Sequence, residues 1–189
     1  MIKTMTSQSL PEGLILIANV ISPDEETHII GWLDKQPWSD TLSRRTQHYG
    51  YEYQYKTGAS LKPTADITGP LLTISNRLSD AGYLNSEQCI INEYTRGQGI
   101  AHHIDKPSQF GPVIVSISLG ADVVMEFRHR EHHDIDVLLP ARSMLVMSGP
   151  SRYEWKHGIP RKIKYMVDGI EVTKPMDYRR ISLTYRSVI

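Results

Sequence analysis

From position 89 onward, apolar residues recur at every second position in short runs. The runs are CIINEYT (89–95), VIVSISLG (113–120), VVMEFRH (123–129), IDVLLP (135–140), SMLVMSG (143–149) and RISLTYRSV (180–188). Runs of this length and period, bounded by Gly, Pro or charged residues, predict β-strands. KYMVDGIEVT (164–173) predicts a hairpin turning at Asp168-Gly169, a dipeptide suited to the positive φ angles of tight hairpin turns. The first third of the chain reads differently. GLILIANVIS predicts one short strand, and Ser22-Pro23-Asp24-Glu25 then opens a helix running to about Leu33. Ser22 is the expected N-cap, Pro23 suits the first turn, and Glu25 completes an S-x-x-E box. Ile29, Ile30, Trp32 and Leu33 form its apolar side. A second amphipathic helix is predicted over 66–82, with Leu71, Leu72, Ile74 and Leu78 inward and Gly82 as the stop. Helices first and about seven strands afterwards predict an α+β domain with antiparallel sheets, and a double-sheet jelly roll fits.

The stretch between the two helices carries YGYEYQY, in which Tyr49, Tyr51, Tyr53 and Tyr55 alternate with other residues. On one continuous strand all four would share a face. Two readings follow, a packed hairpin face or a stacking platform for unpaired bases. Arg44 and Arg45, just upstream, fit either phosphate contacts or a solvated pair.

Composition narrows the function classes without choosing one. The 189 residues suit a single domain. Twenty-one basic and twenty-one acidic residues cancel, which argues against a strong pull of the whole molecule on nucleic acid or anionic membranes while leaving room for a local basic patch. Cys89 is the single cysteine, expected as a buried thiol, and no Cys/His zinc spacing is present. The apolar run at 14–21 is too short to span a bilayer, and it lacks the flanks of a secretory signal. An intracellular, cytoplasmic monomer with no membrane partner is expected.

The chemistry centres on NEYTRGQGIAHHIDK (92–106). His103 and Asp105 lie two positions apart, so an extended backbone would point both the same way, and His157 follows in SRYEWKHGIP. Two imidazoles and a carboxylate are the facial set that holds non-haem Fe(II) with open positions. His102 would face away from Asp105, outside the ligand set. His129, His132 and His133 form a charged loop tip with no fixed ligand spacing. At the other end of the chain, Arg180 and Arg186 are six positions apart on an alternating strand, so both guanidinia share a face. Arginine forks bind carboxylates in a bidentate manner, as a dicarboxylate co-substrate requires.

Asn92-x-Tyr94, His103-x-Asp105, VIVSISLG, LLPARSMLVMSG, SRYEWKHGI and Arg180 to Arg186 together resemble, in order and spacing, the AlkB-like Fe(II)/2-oxoglutarate-dependent dioxygenases. The resemblance runs through most of the chain and implies a double-stranded β-helix (jelly roll) with N-terminal helices packed on it. It implies Fe(II) on His103, Asp105 and His157, with 2-oxoglutarate and O2 as co-substrates. Asn92, Tyr94, Arg180, Ser182, Thr184 and Arg186 match 2-oxoglutarate-binding positions; for Asn92 and Tyr94 a cross-strand polar pair is the alternative. The resemblance makes residues 40–65 a nucleotide-recognition lid, within which Arg45, Tyr53 and Tyr55 are candidate substrate contacts. Residues 1–12 are expected to be loose. Arg152 matches a position near the target base, or else forms a salt bridge with a lid carboxylate. Arg128 is positioned to approach a substrate phosphate. The implied activity is oxidative demethylation or hydroxylation of a modified base in single-stranded DNA or RNA, tRNA included, with release of succinate and CO2. A protein-lysine demethylase or small-molecule hydroxylase of the same chemistry is the alternative. No separate general acid or base is required.

Overall fold

The computed structural model describes residues 9–53 and 60–189. In chain order the elements are β1 (Leu14–Ile17), α1 (Pro23–Leu33), β2 (Thr46–Tyr49), β3 (Tyr51–Tyr53), β4 (Leu61–Pro63), α2 (Gly69–Asp80), β5 (Gln88–Thr95) and β6 (Ile100–His103). They continue with β7 (Phe110–Leu119), β8 (Val123–Arg128), β9 (Ile135–Leu139), β10 (Met144–Met147), α3 (Gly149–Tyr153), β11 (Lys156–Ile159), β12 (Lys164–Val167), β13 (Ile170–Thr173) and β14 (Arg179–Val188). Most of the expected tail of loose residues, 1–8, lies outside the described residues, as does Tyr55.

A six-stranded sheet, β1-β10-β7-β14-β5-β2, lies against a four-stranded sheet, β6-β11-β8-β9, and all strand pairs are antiparallel. This is the expected jelly roll. The period-2 alternation sorts the larger sheet into two faces. Ile181, Leu183 and Tyr185 of β14, with Ile91 of β5 and Val115 and Ile117 of β7, pack against Ile29 and Leu33 of α1 and Leu71, Ile74 and Leu78 of α2. The intervening positions of those strands point into the space between the sheets. There Ile114, Met125, Phe127, Leu145 and Met147 form a second core.

Helix α1 keeps its expected N-cap, whereas Leu72 of α2 turns to solvent instead of inward, since only Leu71, Ile74 and Leu78 of its apolar residues are buried. The Ser22 hydroxyl accepts the Glu25 N–H at 3.1 Å, and the Glu25 carboxylate pairs with Arg77 of α2, which ties the helices together. Gly82 ends α2 with a positive φ of 74°. Asp168 and Gly169 turn the β12–β13 hairpin at φ 48° and 80°. Cys89 is fully buried, and burial pushes its thiol up to about 12. Among the described residues no helix is long and apolar enough to cross a membrane.

The tyrosine run departs from its expected geometry. Gly50 adopts φ 74° and separates β2 from β3. Its position next to the Glu87 carbonyl leaves no room for a Cβ, which would fall 1.8 Å from that oxygen. The strand therefore breaks, and Tyr49 and Tyr53 do not share one face. Tyr49 packs in the helix-side core and donates to Gln47, whereas Tyr53 packs with the core between the sheets.

Candidate active site

The site lies between the sheets. On β14 the inward residues are Arg180, Ser182, Thr184 and Arg186, and β5 places Asn92 beside Ser182 and Tyr94 beside Arg180. On β7, Ser118 stands opposite Ser182, and Ser116 opposite Thr184. Arg180, 1 % exposed, donates to the Ser118 hydroxyl at 2.9 Å, and the Ser116 and Ser182 hydroxyls lie 3.0 Å apart. Guanidinium Arg180 also lies over the Tyr94 ring at 5.4 Å. Ser116 and Ser118 were not singled out from the sequence, although the alternation of VIVSISLG already puts them on one face.

His103 ends β6 and His157 lies in β11, where the two are direct cross-strand partners with ring centroids 4.5 Å apart. Asp105 lies two positions past the end of β6, in the irregular start of the loop to β7, and its carboxylate lines the same cavity. The Asp105 carboxylate accepts from Arg186 at 2.7 Å. Burial works to raise the Asp105 carboxyl, but Arg186, with His157, His103 and Arg152 behind it, holds it below the usual carboxylate range. Burial lowers His157 to about 4, so its ring is neutral at physiological pH.

Two imidazoles and a carboxylate are donors that suit a divalent iron, although among the described residues no group of three such side chains is arranged to hold a metal ion. Two facts support the fit. His103 Nδ1 lies 2.9 Å from the Ala101 carbonyl; a hydrogen bond there fixes the Nδ1–H tautomer and would leave Nε2 free to take a metal, the usual outer-shell arrangement. His157 is held in the neutral form that ligation needs. The anion site fits equally well. Buried Arg180 Nε and Arg186 Nε have no hydrogen-bond partner among the described residues, and unpaired buried donors on a cation are costly unless an anion completes them.

An inner cavity of about 50 Å³ holds this constellation, with Met125, Met147 and Ile159 as apolar walls. It shares Asn92, Ile100, His103, Asp105 and Arg186 with an outer mouth of about 540 Å³. Tyr53, Arg44, Lys106 and Arg161 line the mouth, and Lys106 sits 5.6 Å from the Tyr53 ring.

Several residues take positions other than those expected. Neighbours Arg44 and Arg45 point to opposite faces. Buried Arg44 donates to Asn92 Oδ1 at 2.8 Å, whereas Arg45 binds Glu93 and covers Trp38 on the far side of the sheet. Arg44 is thus the arginine at the mouth, and Arg45 is not. Arg152 is 2 % exposed and spends its guanidinium on the carbonyls of Asp105, Phe110 and Gly111, in place of the expected base contact or lid salt bridge. Arg128 is held by Glu126, Asp134 and Asp136 at 2.9–3.1 Å, which commits it away from phosphate. His102, by contrast, points away from the cavity as expected and lies 3.0 Å from Glu126. His129 and His132 pack on Trp155.

Residues 30–186 match the family model described as the 2OG-Fe(II) oxygenase superfamily. The chain belongs to it. Its relatives are AlkB-like. It is 39% identical over 178 residues to tRNA (carboxymethyluridine(34)-5-O)-methyltransferase ALKBH8 of Mus musculus, covering 85% of this chain and 26% of that protein. It is 32% identical to the Alkylated DNA repair protein ALKBH8 homolog of Arabidopsis thaliana, covering 93% of this chain and 58% of that one. This AlkB-like oxygenase therefore spans about a quarter of the mouse relative's length. The structure of OsALKBH1 superposes with a TM-score of 0.72 at 19% identity, covering 95% of this chain and 100% of that one, which shows the shared fold.

Proposed function

We propose that this AlkB-like oxygenase oxidises a modified base in single-stranded nucleic acid, with tRNA the first substrate class to test. The observation that carries the reading is the outer mouth. It is lined by Arg44, Lys106, Arg161 and Tyr53 and opens directly onto His103 and Asp105. Cations suit the phosphates on either side of an unpaired base, and an aromatic face suits the base itself. Reaching a pocket of this kind requires the base to be unpaired or flipped out of its stack. Four of the mouth residues, Leu42, Ser43, Arg44 and Tyr53, come from the segment 40–65, which supports a lid role for that segment. The mouse relative is named for a tRNA uridine modification, and a Caenorhabditis elegans relative, 29% identical, is named a DNA N6-methyl adenine demethylase.

In this reading His103, Asp105 and His157 hold Fe(II), and Arg180, Arg186, Asn92, Tyr94, Ser182 and Thr184 hold 2-oxoglutarate. When bound, the pair supplies O2 activation coupled to decarboxylation of 2-oxoglutarate to succinate and CO2. The protein's share is orientation and exclusion. Arg180, at the closed end, offers its unpartnered Nε to a carboxylate, and the Ser118 hydroxyl holds the guanidinium in place. Arg186 lies between the anion site and Asp105 and steadies the carboxylate through Oδ1. Met125, Met147 and Ile159 keep water from the reacting centre.

Anaerobically iron-loaded protein supplied with 2-oxoglutarate and O2 tests the reading. Succinate and formaldehyde are measured with methylated single-stranded DNA, methylated RNA and bulk tRNA. Succinate with formaldehyde identifies demethylation, because a hydroxylated N-methyl group collapses to formaldehyde and the bare base. Succinate stimulated by tRNA without formaldehyde identifies stable hydroxylation. Turnover stimulated only by methylated peptides would overturn the nucleic-acid reading.

A further inference from the structure

The buried guanidinium of Arg152 has no role in the chemistry described so far, and its surroundings are unusual. Arg152 lies near the end of the five-residue helix α3, four positions before β11 begins. Its Nη1 donates to the Asp105 carbonyl at 2.6 Å, Nη2 to the Phe110 carbonyl at 3.3 Å and Nε to the Gly111 carbonyl at 3.4 Å. Burying a full charge is expensive, and here burial pulls the guanidinium below its ordinary range against the attraction of the Asp105 carboxylate. A cheaper buried residue would serve if the need were only to fill space. The planar fork with five donors is what reaches carbonyls on both sides of one loop.

That loop, residues 104–109, joins β6 to β7 and carries Asp105. Asp105 is therefore held twice, by Arg186 at the carboxylate and by Arg152 at its own carbonyl. A bond to the carbonyl fixes the peptide plane that follows the ligand, and with it the direction of the Cα–Cβ bond. Because α3 leads directly into β11, the same guanidinium ties Asp105 to the segment that carries His157.

We propose that Arg152 is a positioning residue for the metal centre, setting the placement of Asp105 relative to His103 and His157 through the backbone. The inference rests on the metal assignment under Proposed function. Its test is Co(II) binding to the metal-free protein, followed by the visible d–d absorption, with thermal unfolding of each metal-free variant alongside. Arg152→Gln should weaken Co(II) binding about 10–100-fold, the usual effect of losing an outer-shell partner, and should alter the band pattern. Arg152→Lys should recover part of the affinity, because it keeps a charged donor within reach of one carbonyl, and it carries the test if the Gln variant does not fold. Arg142→Gln, which breaks the ion pair to Glu26 away from the cavity, controls for lost stability and should leave both affinity and spectrum unchanged. Wild-type affinity and spectrum in Arg152→Gln, or in Arg152→Lys should that be the only folded variant, would overturn the positioning role alone. Absence of Co(II) binding in the wild-type chain would overturn the metal assignment and the positioning role together.

Discussion

His103 and His157 stand directly opposite one another on antiparallel strands β6 and β11, with ring centroids 4.5 Å apart. This pairing brings together the two histidines proposed above as metal ligands. His103→Ala and His157→Ala should each weaken Fe(II) or Co(II) binding by more than about 100-fold, exceeding the loss of an outer-shell contact. His102→Ala should leave affinity unchanged. Anaerobic titration calorimetry measures all three, and retained affinity in either of the first two variants would remove that residue from the ligand set.

Arg180 should separate binding from stability. Its charge is buried, with Nε unpartnered and one donor on Ser118. Replacing a buried ionic group by an apolar one of similar size is often neutral or stabilising. Arg180→Met should therefore unfold no earlier than wild type without co-substrate, yet lose at least about tenfold in 2-oxoglutarate affinity, as expected for a lost charge-assisted hydrogen bond. Differential scanning fluorimetry with and without 2-oxoglutarate reads both effects.

Acid sensitivity follows from His157. Its folded pKa, about 4, lies below the ordinary 6.5, chiefly through burial. The folded state resists protonation that the unfolded chain accepts near 6.5, so this contribution is complete above that pH and is lost as pH falls towards 4. The metal-free protein should lose up to about 3 kcal/mol across that window. Asp105, held below 3.8, adds a further loss only at lower pH. Urea unfolding of the metal-free protein at stepped pH measures the slope, and His157→Asn should flatten it.

The cations at the mouth should act on the nucleic acid and not on the co-substrate. Lys106→Ala and Arg161→Ala should weaken binding of a single-stranded oligonucleotide while leaving 2-oxoglutarate affinity unchanged. If each contacts one phosphate, each substitution should also reduce the slope of log K against log salt by about 0.7. Fluorescence anisotropy over a salt series gives both values, and an unchanged slope would take the residue out of the phosphate path.

Gly50 gives a purely conformational prediction. With φ 74° and a Cβ position 1.8 Å from the Glu87 carbonyl, Gly50→Ala requires the β2–β3 corner to move. A strained backbone of this kind costs about 1–3 kcal/mol before the clash is counted. Chemical denaturation should show the loss, and wild-type stability would mean the corner relaxes freely.

The sequence alone determined which side chains share a face wherever a strand runs unbroken. The two-residue period placed Arg180, Ser182, Thr184 and Arg186 on one face of β14 and Asn92 with Tyr94 on one face of β5, and the structure keeps these groupings. The helix caps and the Asp168-Gly169 turn were equally local, because each depends on residues within a few positions. Tertiary structure decided the rest. Asp105 reaches the cavity from the irregular loop beyond β6. Gly50 splits the tyrosine face because a carbonyl from a distant segment crowds it. Arg44 faces the mouth while Arg45 faces Glu93, since which face of the first residues before β2 turns inward depends on its pairing with β5. Arg152 binds carbonyls more than forty positions away. Alternation specifies which side chains share a face. Only the pairing of remote segments specifies what that face meets.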